Sequence, residues 1–165
     1  MIDLNFNYSR QDCVRAWRRH FREKLNLPLD LAAVILLTAL GLFQWHADGL
    51  GVVVLVLLGL STALALIVAL ALFVIPQLAY QRNDKLKQAY HLQFSEDAIC
   101  FKTRSVDSRL EWGLYSRLLI DCHSYLLYYG KDEFSIVPKR IFTDANARQS
   151  FERLLERKLK TIIRR

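Results

Sequence analysis

The sequence predicts an α+β membrane protein. A two-helix transmembrane hairpin is inserted ahead of a small antiparallel β-barrel or sandwich, which a C-terminal helix closes. Three observations predict it. Residues 50–75 carry no charge at all, reading LGVVVLVLLGLSTALALIVALALFVI. A second apolar run, 27–45, precedes it and is interrupted only by Asp30. From residue 90 onward the apolar pattern switches to a period of two. About 20 helical residues cross a hydrocarbon core, so the long uncharged run is a span by length alone. Alternation of apolar and polar residues marks half-buried strands.

The first element is a strand. In MIDLNFNY, Ile2, Leu4, Phe6 and Tyr8 alternate with Asp3, Asn5 and Asn7. Isolated, it would leave its backbone groups unpaired. It is therefore expected as a seventh strand of the C-terminal sheet, with the helical hairpin as an insertion. Ser9 caps a helix, with Asp12 three residues on. Val14, Trp17, Phe21 and Leu25 form its apolar side. Arg15, Arg18, Arg19 and Arg22 form a basic face. That face suits an anionic inner leaflet, which attracts each nearby cation by roughly 1 kcal/mol. A solvated face is the plainer alternative.

The first span is expected over 28–45, with Pro28 tolerated at the helix entrance. His46 to Gly49 form the turn. The second span carries Gly59, Ser61, Ala65 and Ala69, a low face suited to close helix packing. Contact with the first span is the preferred reading, and homodimerisation the alternative. Pro76 is expected where the second span leaves the bilayer, followed by Tyr80 and Arg82 as interface anchors.

Charge sets the orientation. The chain carries a formal net charge of +7. Residues 1–26 hold six of the Lys/Arg, residues 80–165 hold seventeen, and the hairpin turn holds none. Cationic flanks stay inside, so both termini are expected in the cytoplasm, at a bacterial inner membrane. The first apolar run is not read as a cleaved leader, because the 26 residues before it are rich in acids as well as bases and the positions before the turn, with Gln44 and Trp45, make no small-x-small site. The organisation is then an N-terminal strand and basic helix (1–26), the hairpin (27–79) and a cytoplasmic domain (80–165).

Six strands are expected in that last region, over 90–94, 98–103, 108–112, 115–121, 125–129 and 133–137. The links SED, SVD, HS and GKD are rich in turn residues. Thr143 and Asp144 start a helix, with Phe151, Leu154, Leu155, Lys158 and Ile162 along one stripe. In FSIVPKRIF, Pro138 has no N–H and ends the last strand. Lys139 and Arg140 project from that corner, while Ile141 and Phe142 tuck under the domain. Arg140 either pairs with a local carboxylate or, with Lys139, contacts an anion.

Chemistry is sparse. None of the four histidines has a metal-ligand spacing such as HExxH, and Cys13, Cys100 and Cys122 form no CxxC. Cys122 and His123 are expected on opposite faces of a strand end. There is no glycine-rich phosphate loop. No catalytic residue, metal or cofactor is expected, so the chain reads as non-enzymatic. Nucleic acid is not expected as a partner, because the positive-inside rule already accounts for the cations.

Three motifs resemble the YcxB-like family of bacterial membrane proteins: FSEDAICF at 94–101, RLEWGLYSRLLID at 109–121 with Trp112, and IVPKRIF at 136–142 with Pro138 and Phe142. Val137 stands where the family pattern has Ile. Phe151 and Leu154-Leu155 complete the pattern. The resemblance implies a pleckstrin-homology-like C-terminal domain and no established activity. By analogy with such folds, Lys139 and Arg140 would touch a lipid head group or a protein partner. The expected function is a two-span protein presenting this domain for membrane lipid or protein binding. The alternative is a membrane-embedded immunity protein that neutralises a membrane-acting toxin. A transport or channel subunit is disfavoured, because nearly uncharged spans offer no polar pathway.

Overall fold

The computed structural model describes residues 2–103 and 107–164. Met1 of the first expected strand and Ser105-Val106 of the SVD link lie outside the described residues. The chain divides into two compact units, one of residues 1–16 with 80–165 and the other of residues 17–79.

The first unit is built on two four-stranded sheets. Strand β1 (Ile2–Asn7) pairs antiparallel with β2 (Ala89–Phe94), then β3 (Ala98–Lys102) and β4 (Asp107–Glu111) follow in order. Register runs from Ile2 opposite Phe94 to Asn7 opposite Ala89. The N-terminal strand thus joins the sheet formed far along the chain, and its inward set, Leu4, Phe6 and Tyr8, is buried. The second sheet has the order β7 (Phe134–Pro138), β6 (Ser124–Tyr128), β5 (Arg117–Ile120), β8 (Ile162–Arg164). All six expected strands of 80–165 are present.

The sheets do not close into a barrel. Between β4 and β5 the chain makes a 3₁₀ turn, Trp112–Leu114, in place of a strand pairing. The two sheets face each other, with an apolar void of only about 20 Å³ between Phe94 and Ile99 on one side and Leu127 and Val137 on the other. The Tyr8 hydroxyl donates to the Ile136 carbonyl at 2.5 Å, tying the end of β1 to the opposite sheet. β6 is buried at every residue. Helix α5 (Ala145–Lys158) inserts Phe151, Leu154 and Leu155 into this core. Its start is capped by Asp144, whose carboxylate accepts from the N–H groups of Asn146 and Ala147.

Ile162 departs from the expected helical stripe. The helix ends at Lys158, Leu159 is buried in extended conformation, and β8 runs parallel to β5 with Ile162 opposite Leu118. Burial of Leu159 and the bond from Leu118 N–H to the Thr161 carbonyl (2.8 Å) compensate for the helical turns lost.

Helix α1 (Arg10–Lys24) opens with a reciprocal cap. The Asp12 N–H donates to Ser9 Oγ (3.1 Å), and the Ser9 N–H donates to the Asp12 carboxylate (2.8 Å). Within the second unit lie α2 (Leu27–Asp48) and α3 (Val52–Ala69), the latter continuing through a π-helical turn, Leu70–Val74, into α4 (Ile75–Arg82). These are two helices, of 22 and 31 residues, long and apolar enough to cross a membrane. At 1.5 Å per residue even the shorter one spans about 33 Å. α2 runs on past Trp45 to Asp48, so the turn narrows to Gly49–Gly51. Gly49 takes φ +79°, a left-handed position that favours glycine.

Pro76 lies inside α4 and does not end the helix. A proline cannot donate to the carbonyl four residues back and clashes with it. Here the turn preceding it widens to π geometry, with Ile75 N–H bonding the Leu70 carbonyl. The Leu72 carbonyl that Pro76 leaves unpaired accepts instead from Arg18 Nε at 2.9 Å.

Candidate functional site

The corner after β7 is held from both sides. Lys139 N–H donates to the His123 carbonyl (2.8 Å), so the β6–β7 pairing persists one residue past Pro138. Residues Lys139–Ile141 then form a 3₁₀ turn. Phe142 leaves it to stack near Phe151 (centroids 5.1 Å) and Tyr125 (6.2 Å).

Arg140 lies across the start of α1. Its Nη2 is 2.6 Å from Asp12 Oδ2 and 2.8 Å from the Asn7 carbonyl, and its Nε reaches both Asp12 oxygens at 3.1 Å. Asp12 therefore caps its own helix and anchors the corner at once. Burial disfavours its charge, but hydrogen bonds from Arg140 and Ser9 outweigh that and hold the carboxyl below the usual range. Lys139 places its Nζ 5.0 Å from the centre of the Tyr125 ring. Of the two expected readings, Arg140 takes the carboxylate pair.

The other expected residues separate. Arg15 and Arg22 are exposed. Arg19 bonds Glu23 at 2.8 Å, one turn on. Arg18, besides bonding Leu72, sits 5.3 Å from the Phe73 ring. It is a structural contact to the π turn, not a free member of a basic face. Along α3 only Ser61 of the small residues faces α2. Its hydroxyl is 2.6 Å from Thr38 Oγ1 and 3.1 Å from the Val34 carbonyl. Gly59, Ala65 and Ala69 are exposed, and the buried seam runs instead through Val54, Ser61 and Val68. Those three are seven apart, the spacing that keeps one face toward a partner helix. From α2, Gly41 meets this seam so closely that a Cβ there would lie 2.8 Å from Leu58 Cδ2.

Trp112 is buried, and its Nε1–H donates to the Ser95 carbonyl (3.0 Å), closing the SED turn. That turn is also tied to the end of α5 through Glu96, which pairs with Arg157 (2.6 Å) and Lys158 (3.0 Å). The open groove beside it, about 560 Å³, mixes Glu96, Asp97 and Glu111 with Arg109 and Lys158. A wall of both signs does not select an anion.

Two features escaped the sequence reading. One is the role of Arg18, for which Pro76 was the only signal. The other is the β5–β6 turn, where Cys122 Sγ lies 2.7 Å from His123 Nδ1. Strand alternation does not apply there, because both residues occupy the loop. Cys13 contrasts with Cys122. It is fully buried, and burial together with the Asp12 charge pushes its thiol up to about 12, which keeps it protonated and inert.

No curated protein and no solved structure matches the chain significantly. The model of the YcxB-like protein family does match, over residues 94–155. That stretch runs from the end of β2 into α5 and takes in the SED turn, Trp112 and the Pro138–Phe142 corner. Over these residues the chain is similar to the YcxB-like protein family.

Proposed function

We propose that the chain is a non-enzymatic, two-span protein of the bacterial inner membrane that presents a pleckstrin-like domain in the cytoplasm to bind a protein or a lipid head group. The observation that carries this reading is the pairing of β1 with β2. It makes two helices with exposed apolar sides an insertion in one folded unit, so the unit is anchored at both ends of the hairpin. Ile35 and Phe43 of α2 and Val52 of α3 are about 70% exposed or more (68, 70 and 78%). Apolar surface on that scale needs lipid or a partner. Two facing antiparallel sheets closed by a C-terminal helix agree with a pleckstrin-type layout, with the parallel β8 as an addition. The excess of Lys/Arg outside the hairpin supports cytoplasmic termini.

Arg140 is committed to Asp12 and Asn7, and Lys139 leans on Tyr125. The exposed Arg15 and Arg22 are therefore the better head-group contacts. The test is a pull-down of full-length, detergent-solubilised protein from its own cells, with co-purifying proteins and lipids identified by mass spectrometry. A stoichiometric protein partner, or one anionic lipid lost on Arg15→Ala/Arg22→Ala, is the expected result. Recovery of neither overturns the reading.

A further inference from the structure

We propose that the β5–β6 turn is a divalent transition-metal site of the zinc class, with Asp121, Cys122 and His123 as ligands. The turn joins strands paired as far as Ile120 opposite Tyr125. Asp121 N–H then bonds the Ser124 carbonyl at 2.9 Å, leaving Cys122 and His123 as a two-residue loop. In such a loop the chain reverses, so consecutive side chains can converge where strand neighbours would diverge.

They do converge. Cys122 Sγ is 2.7 Å from His123 Nδ1, and Asp121 Oδ2 is 3.8 Å from the same nitrogen. All three ligand atoms lie within 4.8 Å of one another. A sulfur, a nitrogen and an oxygen, one ligand atom from each of three successive residues, are thus gathered where a single cation can reach all three.

The donor set selects the ion. Thiolate with imidazole favours zinc-class metals over magnesium or calcium, which take oxygen ligands. Zinc bonds of roughly 2.0–2.3 Å in a tetrahedron place neighbouring ligand atoms about 3.5 Å apart. The present spacings of 2.7 and 3.8 Å lie either side of that value, and the third pair is within 4.8 Å, so side-chain rotation within the loop brings the three ligands to one ion. Three protein ligands leave a fourth position open, as in zinc sites that keep a water or an outside ligand.

The frame is firm. The His123 carbonyl accepts from Lys139 N–H at 2.8 Å, which fixes the far side of the loop. β5 lies between β6 and β8, and β6 between β5 and β7. Cys122 and His123 are exposed, giving an ion direct entry.

The experiment uses reduced full-length protein in detergent, titrated with Co²⁺ and then displaced by Zn²⁺. The expected result is one cobalt per chain with a thiolate-to-cobalt charge-transfer band. The band is lost in Cys122→Ser and kept in Cys100→Ser. His123→Ala weakens binding by at least the roughly 10–100-fold that loss of an outer-shell partner costs. A band that is absent, that needs large metal excess, or that survives Cys122→Ser overturns the proposal. A second measurement needs no substitution: equimolar Zn²⁺ should slow alkylation of Cys122 but not of Cys100, read by peptide mass spectrometry. Unchanged alkylation of Cys122 overturns it as well.

Discussion

Strand β6 and helix α3 are both apolar runs, yet the protein treats them oppositely. All five residues of β6 are buried. Of the 18 residues of α3, only Val54, Ser61 and Val68 are buried. β6 is flanked by strands on both edges and covered by the facing sheet and by α5. α3 has one helix beside it, and the rest of its surface is left to whatever surrounds the hairpin. An apolar run therefore specifies burial, but what buries it depends on how much of the chain can reach it. For β6 the protein supplies the cover. For α3 it supplies a single seam.

The largest difference should come from removing one core ring. Phe151 is fully buried, with Phe94 at 4.8 Å, Phe142 at 5.1 Å and Tyr125 at 5.3 Å between centroids. Phe151→Ala should cost about 3–5 kcal/mol through lost burial and a cavity. Ile35→Ala, on the exposed side of α2, should stay within about 0.5 kcal/mol in detergent. Denaturant titration of the full-length protein followed by tryptophan fluorescence measures both. Equal losses would mean that α2 is covered by protein at Ile35, and the comparison with β6 would fail.

Next in size is the helix seam. Gly41→Val drives a side chain into Leu58 and should cost about 1–3 kcal/mol by overpacking. Gly59→Val meets open space, with no atom within 4 Å of the added Cβ. It should leave the hairpin intact. If Gly59→Val instead abolishes a chemically cross-linked dimer, the exposed small-residue face packs against a second copy. That result would give α3 a second seam and bring it closer to β6.

A smaller effect is expected at the Asp12–Arg140 pair. Its native carboxyl titrates below the ordinary Asp value of about 4. A depressed native value makes the pair's contribution complete above about pH 4. It is lost as pH falls through the lower, native value. Arg140 is 51% exposed, so solvent screening reduces the pair to about 1 kcal/mol. Asp12→Asn should lower stability by about that amount at neutral pH and flatten the acid limb of the stability curve. An unchanged acid limb would assign that limb to other carboxylates.

Much of this was legible in the sequence, and what was not has physical reasons. Period two found every strand between residues 89 and 138. The alternation of Leu4, Phe6 and Tyr8 required a sheet partner, which β2 supplies. The misreadings cluster where a local rule met a tertiary contact. Ile162 fits a helical stripe, but the open edge of β5 offered a parallel partner. Pro76 by itself does not disclose that a π turn and Arg18 absorb the carbonyl it leaves free. Small residues every four positions suggested the packing face of α3, whereas the contact follows a seven-residue seam. The Cys122–His123 contact depends on one residue of register, because alternation holds in a strand and fails in a two-residue loop.

Ser61 provides the finest test of how the seam is held. Its hydroxyl reaches Thr38 Oγ1 and the Val34 carbonyl, while Thr38 also bonds that carbonyl at 2.8 Å. Three polar atoms are thus gathered at one level of an otherwise apolar contact. Polar bonds between membrane helices average about 0.6 kcal/mol, because separated helices also find partners. Ser61→Ala should therefore weaken the hairpin by about that much, well below Gly41→Val. Ser61→Val adds bulk at the same buried position and should cost more. Association of separately expressed α2 and α3 segments in detergent would read both. A loss on Ser61→Ala as large as that on Gly41→Val would show that the polar cluster, not close backbone approach, holds the two helices together.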